Sequence, residues 1–161
     1  MSEAMIKLNS SDSIGSFRAS PGDTAEQDGE ELEYAVASES LAEGDLVTIK
    51  QGTVGGIVYD AVASKVATGQ PTEPLKAGRI GFTMATGEAG WIWRKWRNRT
   101  VQTDGPVSAG VKVYNSTTVG KVDDTSASKT CIQGLVAPSA IAGAQLGVFN
   151  AIRPLTLNCE T

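Results

Sequence analysis

The side chains with the greatest chemical potential lie in one window, residues 91–99. It reads Trp-Ile-Trp-Arg-Lys-Trp-Arg-Asn-Arg, so all three tryptophans and four of the fourteen bases fall within nine positions. Such a window can bind nucleic acid, because aromatic rings stack on bases while cations contact phosphates. It can also form a protein interface, where tryptophan and arginine are enriched at hot spots.

A third interpretation of the window is plain core packing, because alternate residues of a strand share one face. We favour the protein interface over core packing, and both over nucleic acid, since the chain has a net charge of −4. The candidate partner-binding residues of the window are Trp91, Trp93, Arg94, Trp96, Arg97 and Arg99.

The sequence offers no catalytic constellation. It contains no histidine, which excludes Ser-His and Cys-His arrangements and metal sites that depend on imidazole. Asp123-Asp124 is an adjacent carboxylate pair, but in a loop rich in small polar residues we expect it to be solvated. Neither a phosphate-binding loop nor a dinucleotide-binding glycine motif is present. We therefore expect no enzyme, no cofactor and no metal site.

Charge divides the chain into two parts. Residues 1–45 hold eleven acids and two bases, net −9, whereas residues 46–161 hold seven acids and twelve bases, net +5. Residues 1–30 contain too few apolar side chains to fold alone. They are predicted to be an extended acidic and polar arm, either bound to a partner or folded back on its own domain. Its candidate partner-binding residues are Met5, Ile6, Leu8, Phe17 and Arg18.

The remaining chain has the pattern of an all-β protein. Repeated turns with glycine lead into short runs of β-branched and aromatic residues, which predicts a small β-barrel or β-sandwich of short antiparallel strands. We expect one β body over residues 31–153, with a hairpin turn at Gln51-Gly52, and a tail over 154–161 because Pro154 disfavours central pairing. The predicted strands are 31–38, 45–50, 53–59, 77–85, 88–102, 111–115, 120–122, 131–137 and 145–152.

Two further features shape the expectations. Residues 41–47 with 53–55 resemble residues 107–113 with 118–120, which predicts two similar half-barrels. Cys131 and Cys159 are too few for a disulfide scaffold, and without a secretion signal we expect reduced thiols. With no apolar run long enough to span a membrane, the chain is expected to be soluble and made in the cytoplasm.

The pattern of turns and strands in residues 41–152 resembles that of the small decoration, or cement, proteins of tailed-bacteriophage heads. The similar pieces are Leu-Ala-Glu-Gly-Asp-Leu-Val (41–47), Ala-Gly-Arg-Ile-Gly-Phe (77–82), Val-Ser-Ala-Gly-Val-Lys-Val-Tyr (107–114), Val-Gly-Lys-Val (119–122) and Ile-Gln-Gly-Leu-Val-Ala (132–137). The resemblance implies a mostly β trimer on the outside of the virion shell, bound to the major capsid protein and stabilising it by bridging subunits. It supplies no catalytic residues.

Two other functions stay open at this point. A single-stranded nucleic-acid-binding β-barrel would use residues 91–99, although nucleic acid is the less expected partner. A virion adhesive or sugar-binding module is the third possibility. No membrane partner is expected.

Overall fold

The computed structural model describes residues 19–69, 71–126 and 130–159, and the backbone of 11–13. It confirms the all-β fold, and the described residues contain no helix, hence none that could cross a membrane. Eleven strands join in one sheet. They are β1 (Ser11–Ser13), β2 (Thr24–Gln27), β3 (Glu30–Ala37), β4 (Leu46–Val54), β5 (Ile57–Lys65), β6 (Leu75–Arg79), β7 (Glu88–Gln102), β8 (Val113–Asn115), β9 (Val122–Asp123), β10 (Thr130–Val136) and β11 (Leu146–Asn158).

Five of these strands close into a barrel. Strand β3 pairs with β5, β5 with β4, β4 with β6, β6 with β7, and β7 with β3. The β3–β5 pair is parallel, with Val36 opposite Val62, so the sheet is mixed, whereas the sequence predicts antiparallel strands throughout. The β3–β5 contact comprises two residue pairs and the β6–β7 contact one, Arg79 opposite Trp93, so closure is confined to short segments of these strands.

The barrel interior is narrow because alanine supplies much of its lining. Strands β3 and β5 each contribute two fully buried alanines, and the larger side chains come from β4, β7 and the connecting loops. Mixed small and large residues fill a small barrel without voids. The interior cluster comprises Ala35, Ala37, Leu41, Val47, Ile49, Ala61, Ala63, Ile80, Met84 and Ile92.

A second apolar cluster lies outside the barrel wall and continues between the barrel and the remaining strands. Leu32, Tyr34 and Val36 belong to it, while Ala35 and Ala37 face the barrel interior, so β3 is apolar on both faces rather than on one. Residues 95–102 of β7 pair with β11, which pairs with β10, then β8 and β9. We call this second group of strands the outer sheet.

The structure contains two matching clasps, but they do not relate the segments that the sequence comparison aligned. In the first, Leu41 and Met84 exchange both backbone hydrogen bonds; in the second, Val107 and Ile141 do the same. The N–H of Gly87 donates to Ala37 in one clasp, and that of Gly110 donates to Ala137 in the other, at 2.8 and 2.9 Å. The equivalent segments are therefore 37–45 with 137–145 and 80–87 with 103–110, whereas the sequence comparison aligned 41–47 with 107–113.

The β4–β5 hairpin turns later than predicted. Gly55 and Gly56 form its tip with φ of 58° and 80°, a left-handed pair suited to a two-residue turn. Gln51-Gly52 is a bulge, where the register shifts between Lys50 and Gly52. The turn predicted at Gln51-Gly52 is therefore wrong: Gly-Gly adopts the two positive φ angles of a two-residue turn more readily than Gln-Gly, and the longer hairpin forms more cross-strand pairs.

Strand β11 extends to Asn158, beyond the end predicted at Ile152. Pro154 fits inside it because the strands are irregular there: the β10–β11 register shifts between Gln133 and Leu135, and Gly134 has φ of 85°. A proline at a bulge removes no needed ladder donor. The segment predicted as a free tail is therefore mostly paired strand.

The two cysteines form a disulfide, contrary to the expectation of reduced thiols. Cys131 near the start of β10 bonds Cys159 just after β11, with the Cα atoms 5.4 Å apart. The two strands are antiparallel neighbours, with Cys131 opposite Leu157, so pairing brings residues 28 apart in sequence together. The bond fastens the last strand to the outer sheet.

Part of the predicted arm lies against the body. Strand β2 pairs with β3 from Thr24 opposite Glu33 to Gln27 opposite Glu30. Residues 22 and 23 exchange backbone hydrogen bonds with Tyr34, each 2.8 Å long. For residues 19–30, folding back on the domain describes the structure better than an extended arm.

Candidate interaction surfaces

The three tryptophans of the window are core residues. Trp91, Trp93 and Trp96 are 6%, 4% and 3% exposed and belong to the cluster outside the barrel wall. Trp91 packs edge-on against Tyr34 with ring centroids 5.1 Å apart. Rings this deeply buried cannot stack on a base or a sugar, and they offer a partner almost no surface.

Trp93 is also packed between charged groups. The guanidiniums of Arg79 and Arg99 lie 5.2 and 4.7 Å from its ring centroid, distances suited to cation–π attraction. A Cβ atom at Gly81 would overlap the Trp93 ring, so glycine is needed for this close approach. Burial, with the nearby Arg99 charge, lowers the pKa of Arg79 to about 10.

Glu30 neutralises part of the positive charge that Arg79 and Arg99 place around Trp93. Its carboxylate accepts hydrogen bonds from Nε of Arg99 at 2.9 and 3.0 Å and one from the backbone N–H of Arg97 at 3.2 Å. Partial burial acts to raise the pKa of Glu30, but the bonds from Arg99 and Arg97 outweigh it and hold that pKa below its ordinary value. The carboxylate therefore stays ionised against the arginine.

A buried ion cluster lies at the end of the barrel interior. The Glu33 side chain is 4% exposed and accepts hydrogen bonds from Nζ of Lys76 at 2.8 Å and from Arg94 at 3.4 Å. Arg94 also donates from Nε to the Ala77 carbonyl at 2.7 Å. Burial lowers the pKa of Arg94, opposed by the Glu33 charge. The cluster joins β3, β6 and β7 where the ring of strands closes.

These contacts show how the acidic head and the basic body meet within one subunit. Three acids of β3 pair with body cations: Glu30 with Arg99, Glu33 with Arg94 and Lys76, and Glu31 with Arg153 at 2.7 Å. Arg94 and Arg99 thus serve the fold. Arg97 is exposed and makes no ion pair with the described residues. The predicted arm anchors Met5, Ile6, Leu8, Phe17 and Arg18 lie outside the described residues.

An exposed apolar face covers the outer sheet, and the sequence interpretation missed it. Five of the eight exposed large hydrophobic side chains in the described chain lie here: Val111, Val136, Leu146, Val148 and Ile152. Strand β11 alternates exposed and buried residues from Leu146 to Ile152, so its apolar side chains point both outward and inward. Apolar surface concentrated in this way marks an interaction site.

One end of this face is a groove. Residues 110–112, 132–136 and 150–152 line a hollow of about 480 Å³. Ile152, the most exposed apolar side chain of the face at 70%, forms one wall. A more polar hollow lies on the other side of Ile152, lined by Asp28, Lys95, Arg97 and Asn150 among others. The face therefore joins an apolar groove to a charged rim.

The signal for this face was present in the sequence. In residues 146–152 every position except Asn150 is apolar or glycine, although a strand with one solvated face alternates apolar and polar residues. That departure indicates either two covered faces or an interface.

The described residues contain no cluster of His, Cys, Asp or Glu that could hold a metal ion. Comparison with family models, with curated proteins and with solved structures finds no match to this chain.

Proposed function

We propose that this protein is a structural protein of a tailed-bacteriophage head. It binds the outer surface of the shell, contacts the major capsid protein, and stabilises the shell by bridging neighbouring subunits as a homo-oligomer, a trimer. The observation that carries the proposal is the apolar face of the outer sheet, held on a barrel closed by buried ion pairs. The resemblance of residues 41–152 to the decoration proteins of phage heads supports a phage head as the shell that is bound.

The shape of the molecule suits bridging better than catalysis. A closed barrel resists deformation. An exposed apolar face provides a non-directional hydrophobic contact for another protein. Several identical faces on one oligomer raise the effective concentration, so shallow contacts bind tightly together. Such an oligomer resists separation of the subunits beneath it. Its place is the capsid surface, after synthesis in the host cytoplasm.

Binding of single-stranded nucleic acid and binding of sugars are less well supported. Both depend on exposed aromatic rings for stacking. The exposed large hydrophobic side chains of the described residues are all aliphatic, and the three tryptophans are buried. Arg94 and Arg99 pair with carboxylates and are not free for phosphates.

The test is cosedimentation of the full-length protein with heads that lack it. The double variant Leu146→Asp, Val148→Asp places two charges on the apolar face, at side chains that are 45% and 43% exposed, and thermal unfolding of the variant checks that the fold is kept. We expect its affinity for heads to fall roughly tenfold or more, as for hot-spot residues. Val119→Asp is the matched control, because Val119 is exposed to a similar degree outside this face. Unchanged binding by the double variant would remove this face from the proposal.

The arm needs a separate test. Deleting residues 1–30 would remove β2 and Glu30, and with them contacts of the body. Deleting residues 1–10 leaves every described contact in place. If the arm contributes to shell binding, the shortened protein binds heads more weakly although it unfolds at the same temperature. Equal binding would remove Met5, Ile6 and Leu8 from the proposed attachment and leave it to residues 11–161.

A further inference from the structure

Two apolar surfaces of this chain have opposite shapes. One is the groove beside Ile152. The other is the tip of the β4–β5 hairpin, residues 53–60, where Ile57 and Val58 are 56% and 62% exposed. Together with the rest of the outer-sheet face they account for seven of the eight exposed large hydrophobic side chains of the described residues, Val119 being the eighth.

The tip is narrow enough to enter a groove. Gly55 and Gly56 form its end, and a Cβ atom at either position would meet nothing within 4 Å. The two apolar side chains follow directly after this bare end. Their exposure shows that the described part of the chain does not cover them, and in the sheet order β4 and β6 lie between β5 and β11.

Charge complements the shapes. Asp60 is the one charged residue of the tip, and it is exposed. The groove and its rim carry three cations, Lys112, Lys95 and Arg97, against two acids, Asp28 and Glu30, and Glu30 is already paired with Arg99. An apolar tip with an acid two residues behind it therefore matches an apolar groove with an excess of cations around it.

We propose that the hairpin tip of one copy seats in the groove of a second copy, with Ile57 and Val58 against Val111, Val136 and Ile152. Asp60 then faces the cations of the rim. Tip and groove are different surfaces, so the contact is heterologous: each copy offers one tip and one groove, and the proposed trimer requires a rotation between copies that closes the repeated contact into a ring.

This contact defines the oligomer that the proposed function requires, and it leaves Leu146 and Val148 free for the shell. Self-association is measured without any shell. A failure of this inference is therefore distinguishable from a failure of the proposed function, which the variants at 146 and 148 address.

Multi-angle light scattering and sedimentation equilibrium on the full chain give the test. The wild type is expected as a discrete oligomer. Ile57→Ser with Val58→Ser removes the tip contact, and Ile152→Asp spoils the groove by placing a carboxylate opposite Asp60. Each variant is expected to be a monomer, and because the changed side chains are exposed, each should unfold at nearly the wild-type temperature. Val119→Asp is the control and keeps the wild-type mass.

Mixing the two monomeric variants is the decisive step. The tip variant retains an intact groove and the groove variant retains an intact tip, so the mixture is expected to form a one-to-one dimer that grows no further. A contact between two identical patches would not be restored by mixing. A monomeric wild type, variants with the wild-type mass, or a mixture without heterodimer would each overturn the proposal.

Discussion

The barrel and the outer sheet bury their side chains in different ways. The barrel encloses its apolar residues and even its charges: Glu33 and Arg94 pair inside the mouth, where solvent scarcely reaches them. The outer sheet covers one face, around Phe149 and Ala151, and leaves the other face apolar and exposed. In the proposed function, the barrel would supply rigidity and the outer sheet the contact with the shell.

Among changes to the barrel, we expect substitution of Glu33 to lower the free energy of unfolding most. Glu33→Gln leaves Arg94 buried without its counter-ion, and removal of one partner from a buried pair costs roughly 3–5 kcal/mol. Lys76→Met is the control: Lys76 is half exposed, so we expect roughly 0–1 kcal/mol. Urea unfolding measures both. Equal effects for the two variants would show that burial of the pair does not matter.

The outer sheet is weakened next most strongly through its disulfide. Replacing both Cys131 and Cys159 by Ala frees a loop of 28 residues, and chain entropy predicts a loss of roughly 3–4 kcal/mol. Hydrogen exchange locates the effect: amides of β10 and β11 are expected to lose protection first, while those of β4 and β5 keep it. Uniform loss across both parts would mean that the barrel and the outer sheet unfold as one unit.

The pH dependence of the free energy of unfolding gives a further test, through the ion pair of Glu30 with Arg99. The folded pKa of Glu30 lies below the ordinary value, so its contribution to stability is complete above the unfolded pKa and is lost as pH falls through the folded pKa. We expect the free energy of unfolding of the wild type to fall in acid, and Glu30→Gln to make that fall shallower. A titration from pH 7 to pH 3 by urea unfolding gives the slope.

Asp45 provides a control of opposite sign. Burial raises its pKa, against the hydrogen bond from the Ala42 N–H, so its contribution grows as pH falls and is lost as pH rises through the folded pKa. Asp45→Asn is therefore expected to make the decline in acid steeper. A shallower decline in this variant would contradict the assigned cause.

The smallest effect is expected on the exposed face. Val148→Ala removes a half-exposed side chain from the outer sheet, and surface changes of this kind lie within about 0.5 kcal/mol. Thermal unfolding should hardly change, although binding to heads weakens. A large loss of stability would show that Val148 is covered in the free protein.

Local patterns in the sequence predict local structure well. The β7 strand was predicted with both of its observed ends, because its tryptophans, Ile92, Thr100 and Val101 are strand formers that lie between segments rich in turn residues. The hairpin tip was misplaced because the first glycine of the segment, Gly52, was taken for the turn, although Gly55-Gly56 fits a two-residue turn better.

Tertiary pairing lies beyond such patterns. The parallel β3–β5 pair and the disulfide depend on which distant strands become neighbours, which spacing does not encode. Alternation shows that Trp91 and Trp93 share a face, but not that Tyr34 and its neighbours cover it. The non-alternating run 146–152 indicates two covered faces or an interface, and only the structure, in which Leu146 is exposed, selects the interface.

The account depends most on one claim, that this chain strengthens a shell by binding its outside. Heads with and without the bound protein can be heated in steps while released DNA is measured by dye fluorescence. The account predicts that heads carrying the wild-type protein retain DNA to a higher temperature than bare heads, and that heads mixed with the variant at 146 and 148 behave as bare heads. Release at the same temperature from fully decorated and bare heads would contradict it.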